Sequence, residues 1–456
     1  MDIVPLLARV AGRCDVPPVA LAAMMADRIR EAGPQGLTEP LLERKCADFS
    51  GLVARLSLPV EPAEILQFRN AAAAALAAGR LAEADKALAH AELRAIDGAT
   101  DLSVLPPERR LLIAENRADR AALSFLRTRP EAYQEAAARY GEASALIGRV
   151  DTQRSRAAAL DQARSLARIS EDFGGREGYD GAVAALRRLL EQLSALSDTV
   201  AYATAQDAVA AALEGLFKLT GEGKLREQAL QHSRAGLEYL RPEEVPALWR
   251  TLKLRFGRLA ATLGIVQKDD NLLEEAIASY AGLLSSWQRQ DDEPRWLEAE
   301  HMISRARATL GKRRIDLALL ERAFNGLNRV SNAIDRSREP LRWAELQDQM
   351  GGVLASMGDR YSEPVVLEEA ITAFSQALEE RRRDRVPLDW ARSRANQADA
   401  MLQLARRTKN RDLAQRALSQ LVEAAEAARQ VDPRVTADFQ ARLAEAGAIA
   451  QRLVDG

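Results

Sequence analysis

The sequence predicts an all-α protein: a right-handed α-solenoid of stacked helix–turn–helix pairs with a helical cap at each end. Three observations carry that expectation. An alanine recurs every 47 residues, at Ala182, Ala229, Ala276, Ala323, Ala370 and Ala417. An aromatic residue recurs at the same interval, at Tyr202, Trp249, Trp296, Trp343 and Trp390. Hydrophobic residues make up 47% of the chain but aromatic ones only 5%, and an alanine-rich composition suits close-packed helices better than strands.

The alanine belongs to one helix of the pair, helix B. The next residue is apolar each time: Val183, Leu230, Ile277, Phe324, Ile371 and Leu418. Four positions past the alanine stand Leu186, Ser233, Tyr280, Leu327, Phe374 and Leu421. Offsets of 0, +1 and +4 trace one face of a helix. The phrases "LEEAIASY" (273–280), "LERAFNGL" (320–327) and "LEEAITAF" (367–374) are three copies of it.

The aromatic opens the other helix, helix A. Seven residues on are Val209, Phe256, Ile303, Met350 and Gln397, followed by a small residue each time: Ala210, Gly257, Ser304, Gly351 and Ala398. Fourteen past the aromatic are Leu216, Leu263, Leu310, Met357 and Leu404. This face is expected in the core, the aromatic included, with a gap where a neighbouring helix approaches. Pro294, Pro340 and Pro387 stand just before their aromatics, where a helix start tolerates proline. Gly264, Gly311 and Gly358 follow the last apolar residue and are expected to cap helix A at its C-terminus. One such pair cannot bury its apolar faces alone; stacked copies can.

Shorter relatives precede these units. In "ALAAGRLAEADKALAHAEL" (75–93), Gly79, Leu81, Ala84, Leu88 and Ala91 give a turn glycine followed by small and large residues at helical spacing. Phe68, Ala71, Ala72 and Ala75 fit the helix before it. "EAYQEAAARYGEA" (131–143) repeats the theme with Tyr133, Ala136, Tyr140 and Ala143. This pattern resembles the tetratricopeptide repeat (TPR), and the 47-residue units look like an elongated bacterial variant, with phrases such as "LEEAI" and "RVPLDWA" (385–391) similar to those arrays. The resemblance covers roughly residues 64–456. It departs from the 34-residue family unit in its longer helices and an expected longer A–B turn. Residues 1–60 read as an N-terminal helical cap, broken at Pro17-Pro18, "GPQG" (33–36) and Pro59. Two TPR-like repeats follow over 61–150, then six 47-residue pairs over 151–434, then a capping helix over 435–456 in which Phe439, Gly447 and Leu453 echo helix A.

Composition narrows function. Lys and Arg total 64 against 66 Asp and Glu, a formal charge of −2, so no global field favours nucleic acid. Cys14 and Cys46 lack metal-ligand spacing and fit a reducing compartment. The start, "MDIVPLLARVAG", has no basic leader, and its short apolar run is broken by Arg9. No stretch approaches the roughly 18 apolar residues of a membrane span. A soluble cytoplasmic protein is expected.

Candidate chemistry is sparse. "TGEGKLRE" (220–227) contains Gly-x-Gly-Lys, but a phosphate loop needs a glycine where Lys218 stands and a Ser or Thr where Leu225 stands. "GGREGYDG" (174–181) reads as a flexible loop at the same turn one unit earlier. "QKDDNLLEE" (267–275) lacks the mid-loop glycine of a calcium site, so Asp270 or Asn271 is expected to cap a helix instead. His90, His232 and His301 are isolated and read as surface or groove residues. No nucleophile signature appears. "EERRRDR" (379–385) ends a helix, where cations complement the helix dipole, and its acids weaken a phosphate reading.

In TPR-like solenoids helix A lines the concave surface. The non-core face of helix A, at offsets +2, +5 and +9 from the aromatic, carries Asp207, Arg258, Glu298, His301, Arg305, Glu345, Asp348, Arg392 and Asp399. This polar stripe of mixed sign suits a protein or peptide partner. The function expected is a non-enzymatic interaction scaffold without cofactor or metal, making no contact with nucleic acid or membrane. The alternatives are a structural protein that self-associates through its N-terminal region, and a ligand-sensing module that regulates an effector protein.

Overall fold

The computed structural model describes residues 3–33, 36–290, 292–360, 364–432, 434 and 436–455. Asp2 and the Pro34-Gln35 break lie outside them. Among the described residues are twenty α-helices and no strand. The chain divides into two compact units, Met1–Leu252 and Lys253–Gly456.

The first unit holds α1 (Val4–Arg13), α2 (Pro18–Ala32), α3 (Glu39–Leu56), α4 (Ala63–Ala77), α5 (Leu81–Ile96), α6 (Pro107–Leu126), α7 (Pro130–Ile147), α8 (Thr152–Phe173), α9 (Glu177–Leu190), α10 (Thr199–Thr220) and α11 (Gly223–Leu237). The unit boundary falls within α12 (Pro246–Val266). The second unit continues with α13 (Asp270–Ser285), α14 (Glu293–Arg314), α15 (Leu317–Ser331), α16 (Pro340–Gly358), α17 (Val365–Glu380), α18 (Pro387–Thr408), α19 (Arg411–Val431) and α20 (Thr436–Asp455). Within each unit successive helices pack side by side in chain order, the arrangement of an α-solenoid. Six first helices begin at residues 152, 199, 246, 293, 340 and 387, each 47 after the last.

The joint inside a pair is short. α14 ends at Arg314, Ile315 turns left-handed (φ 59°), Asp316 caps α15 by accepting the Leu319 N–H at 3.1 Å, and α15 begins at Leu317. Lys409 (φ 54°) and Asn410 repeat the device before α19, and Lys268 (φ 56°) and Asp269 repeat it before α13. The longer A–B turn expected from the sequence is therefore absent at these joints. The cap is Asp269, which accepts from the N–H groups of Asn271 and Leu272, rather than Asp270 or Asn271. Asp270 instead pairs with Arg313 and Arg314.

Gly264, Gly311 and Gly358 do not stop helix A as left-handed caps; each still lies inside its helix. A Cβ on them would meet Leu273, Leu320 and Leu367 at 3.0, 3.0 and 2.5 Å, so they let the start of helix B cross closely. "GGREGYDG" is also only half a loop, because α9 begins at Glu177 and Gly178 packs against α8, where a Cβ would come within 2.5 Å of the Leu166 carbonyl oxygen.

The repeated alanines are the tightest element of the packing. All six have 0% exposure. Size is exchanged across the pair: where helix A carries Gly257 or Gly351, helix B presents the rings of Tyr280 or Phe374, 2.8 and 2.9 Å from where a Cβ would stand. The five aromatics differ from expectation, being half-buried rather than in the core. Three carry a guanidinium seven residues upstream: Arg289 over Trp296 (5.6 Å), Arg336 over Trp343 (4.1 Å) and Arg383 over Trp390 (5.5 Å). A tryptophan that shares a cation keeps one face toward water.

The N-terminal helices are not a simple end cap. Leu21, Met24, Met25, Leu42, Leu52 and Leu56 are at 0–1% exposure in one core with Leu76, Leu88, Leu126 and Tyr133. α3 packs on α4 and α6 and reaches α8 through Arg44–Asp172 (3.1 Å) and Asp48–Arg164. Gly79 shows how close the approach is: its φ is +72°, and a Cβ would sit 2.8 Å from the Val19 carbonyl oxygen on α2.

Candidate functional site

The polar stripe anticipated on helix A lies on α10 (Asp207), α12 (Arg258), α14 (Glu298, His301, Arg305), α16 (Glu345, Asp348) and α18 (Arg392, Asp399). Asp207 belongs to the first unit and the rest to the second. In the second unit the stripe is a ladder between successive first helices. His301 Nε2 on α14 donates to Gln349 Oε1 on α16 at 2.8 Å, and Gln349 donates to Glu345 at 2.9 Å. Asn396 on α18 donates to Asp348 at 3.4 Å. Arg442 on α20 donates to Asn396 at 3.1 Å and lies 3.5 Å from Asp399. Arg392 is exposed, 3.7 Å from Asp389. The side chains of Glu298 and Arg305 are exposed and make no hydrogen bond or ion pair with another described residue.

The electrostatics mark a recess. Burial pushes the Asp399 carboxyl up to about 6, although over a third of that side chain (37%) stays accessible. Burial also lowers the Lys312 ammonium, although the residue is exposed, and lowers the His301 imidazole. A group that is both reachable by water and desolvated sits in a concavity. Beside Asp399, and apart from Lys312 and His301, a cavity of about 240 Å³ is lined by Asp359, Asp399, Arg406 and Arg442, among others.

Lys312, Asp359 and Arg406 were missed in the sequence. Each lies 16 residues past its unit's aromatic, two turns beyond the +9 position. Carrying the stripe that far would have found them. Lys312 lies over α16 at Gly352, where a Cβ would be 3.4 Å from the ammonium nitrogen.

The first unit shows the same helix face already occupied. Arg164 on α8 lies at the +9 phase, since 164, 258, 305 and 399 differ by multiples of 47. Arg164 pairs with Asp48 of α3. One turn earlier on α3, Arg44 reaches Asp172, which also accepts the Tyr133 hydroxyl at 2.9 Å. α3 therefore runs antiparallel to α8. Between the two ion pairs Lys45 is buried (2% exposed), with its ammonium donating to the Phe125 carbonyl and lying 4.7 and 4.6 Å from the Phe125 and Tyr133 ring centres. Burial pushes Lys45 down to about 7.

The other candidates fall into structure. "TGEGKLRE" ends α10 with a left-handed Gly221 and opens α11. His90 stacks on Phe68 at 5.6 Å, and His232 meets Gln206. No group of three metal-ligating side chains occurs among the described residues. None of the described helices is long and apolar enough to cross a membrane.

No family model and no curated protein matches the chain. Among solved structures it is similar to a circular tandem repeat protein with novel repeat topology and enhanced subunit contact surfaces, at 17% identity over 90% of this chain and 98% of that one, with a TM-score of 0.29. It is also similar to the human IFIT1 dimer with PPP-AAAA, at 16% identity over 100% of this chain and 95% of that one, also with a TM-score of 0.29. Likeness at this level gives no basis for assigning a ligand.

Proposed function

We propose that the chain is a non-enzymatic, cytoplasmic scaffold whose second unit holds a partner protein through an amphipathic helical segment laid along the helix-A groove. The observation that carries this reading is α3. It lies on the helix-A face of the first unit and gives an acid, Asp48, to the +9 arginine, Arg164. At the far end of the second unit Arg442 of α20 answers the +9 position in the same way, at Asp399. Within the second unit Arg305 and Lys312 present two cations seven residues apart on one face of α14. Neither has an ion-pair partner among the described residues. As α3 brings Asp48 to Arg164, the partner helix brings acids about two turns apart to that face. The 47-residue spacing and the order of the helices support reading the pairs as elongated TPR-like units; the bacterial type rests on the sequence resemblance alone.

The test is capture from native lysate by wild type and by Arg305→Glu/Lys312→Glu. Both positions are exposed, so unchanged helicity is the control for folding. A protein retained by wild type and lost from the double variant supports the groove. A protein retained equally by both moves the site off α14.

A further inference from the structure

Where α3 ends, it leaves part of the first unit's helix-A face uncovered. There a cavity of about 390 Å³ opens between α3, α4, α6, α7 and α8. That volume falls in the range of small-molecule sites, roughly 300–1,000 Å³. One wall is apolar, formed by Ala114, Ala143, Ile147 and Ala158, with Leu58 exposed at the rim.

The other wall is a set of charges. Its floor is Asp119, 3% exposed, with Arg55 Nε 3.3 Å from one oxygen and Arg69 Nη2 3.2 Å from the other. Arg69 also closes the end of α3 by donating to the Arg55 carbonyl at 2.6 Å. Asp119 Oδ2 is fully buried beside Arg69 and accepts no hydrogen bond from a described residue, so Asp119 serves to hold the two arginines at the cavity floor. Asp161 lines it too, with its nearest cation, Arg164, 3.8 Å away. Burial raises both carboxyls, Asp119 to about 6. At the rim Arg154 is half exposed and paired with Glu115.

The lining thus carries three cations (Arg55, Arg69, Arg154) and three carboxylates (Glu115, Asp119, Asp161). A ligand with a net charge would leave that charge uncompensated in a desolvated site. An ammonium would supply the donors that the Asp161 carboxylate lacks, and a carboxylate would answer Arg55 and Arg154. We infer that this cavity binds a small zwitterion with an apolar side group, an amino acid or dipeptide of the leucine type, with its ammonium at Asp161 and its side group against Ile147. The inference is independent of the groove in the second unit.

The experiment is calorimetric titration of the full chain with L-leucine and L-leucyl-L-leucine, alongside two truncated analogues. These are 4-methylpentanoate, which lacks the ammonium, and 3-methylbutylamine, which lacks the carboxylate. A zwitterion is expected to bind, with each analogue weaker by about tenfold or more, the worth of one charge-assisted hydrogen bond. Asp161→Asn should weaken the zwitterion by about the same factor. Ala157→Trp, at an exposed position on the lining, should abolish binding without touching the core. The inference is overturned if neither zwitterion binds at about 10 mM, where even millimolar affinity registers. An analogue that matches the zwitterion overturns it too, as does unchanged affinity in Ala157→Trp.

Discussion

Replacing Gly351 with alanine tests the packing inside a helix pair. A Cβ there would stand 2.9 Å from two carbons of the Phe374 ring and 3.0 Å from a third. Carbon atoms settle at about 3.5–4.0 Å, so the ring must retreat by up to 1 Å. Phe374 is 1% exposed and packed against Leu354, Ala370 and Ala400. Overfilling such a site costs about 1–3 kcal/mol, while alanine in place of glycine returns up to about 1 kcal/mol of helix propensity. The net expectation is a loss of about 1–2 kcal/mol, more for valine. Phe374→Leu alone should cost about 1–1.5 kcal/mol. In the double variant leucine makes room for the methyl, and the two losses should fall short of their sum by about 1 kcal/mol or more. Because repeat arrays can unfold in parts, native-state hydrogen exchange of α16 should accompany the urea midpoint. Wild-type stability in Gly351→Ala, or strict additivity in the double variant, would refute the glycine–aromatic register.

Three further outcomes are expected. Trp343→Ala should cost about 2–3 kcal/mol, since only part of the ring is buried and Arg336 stacks on it; a loss under about 1 kcal/mol in urea denaturation would place the ring in solvent. Ile315→Gly should stabilise by about 0.5–1 kcal/mol, because a β-branched residue at φ 59° and 63% exposure holds a left-handed turn that glycine adopts freely; a lower thermal midpoint would contradict it. Lys45 is held near 7 in the folded state, against 10.5 as its ordinary value, so the folded form binds fewer protons between those limits. Stability of the first unit should therefore rise as pH is raised from 7 toward 9, and that rise should be smaller in Lys45→Met. Parallel pH profiles for the two proteins would place Lys45 in water.

The helical class and the phase of the pairs were legible because packing imposes a period. Ala182 to Ala417 must be small wherever two helices touch, and all six are fully buried. What could not be read was how each helix stops. Lys268, Ile315 and Lys409 show no left-handed preference by residue type, so the eye goes to Gly264 and Gly311, whose smallness serves a crossing leucine instead. The aromatics misled for a related reason: a tryptophan's size says core, but Arg289, Arg336 and Arg383 hold those rings at the edge. The candidate groove was legible as a polar stripe only as far as +9, and its continuation to Lys312 needed one more step of the same count. Nothing in the sequence places α3 across α8, because Asp48 and Arg164 are 116 residues apart and share no pattern. The cavity beside it is equally invisible, since Arg55, Asp119 and Asp161 come from three helices.

The most direct test of the groove is a photo-crosslinking amino acid placed at Arg305 on α14 and, as a control, at Thr372 on α17, both exposed. Irradiation in native lysate, with mass spectrometry of the adduct, identifies the segment that touches each site. The expected result is a specific adduct from position 305, mapping to an amphipathic helix with acids about two turns apart, and none from 372. An adduct from 372 alone, or the same adducts from both, would contradict a partner held in the groove of the second unit.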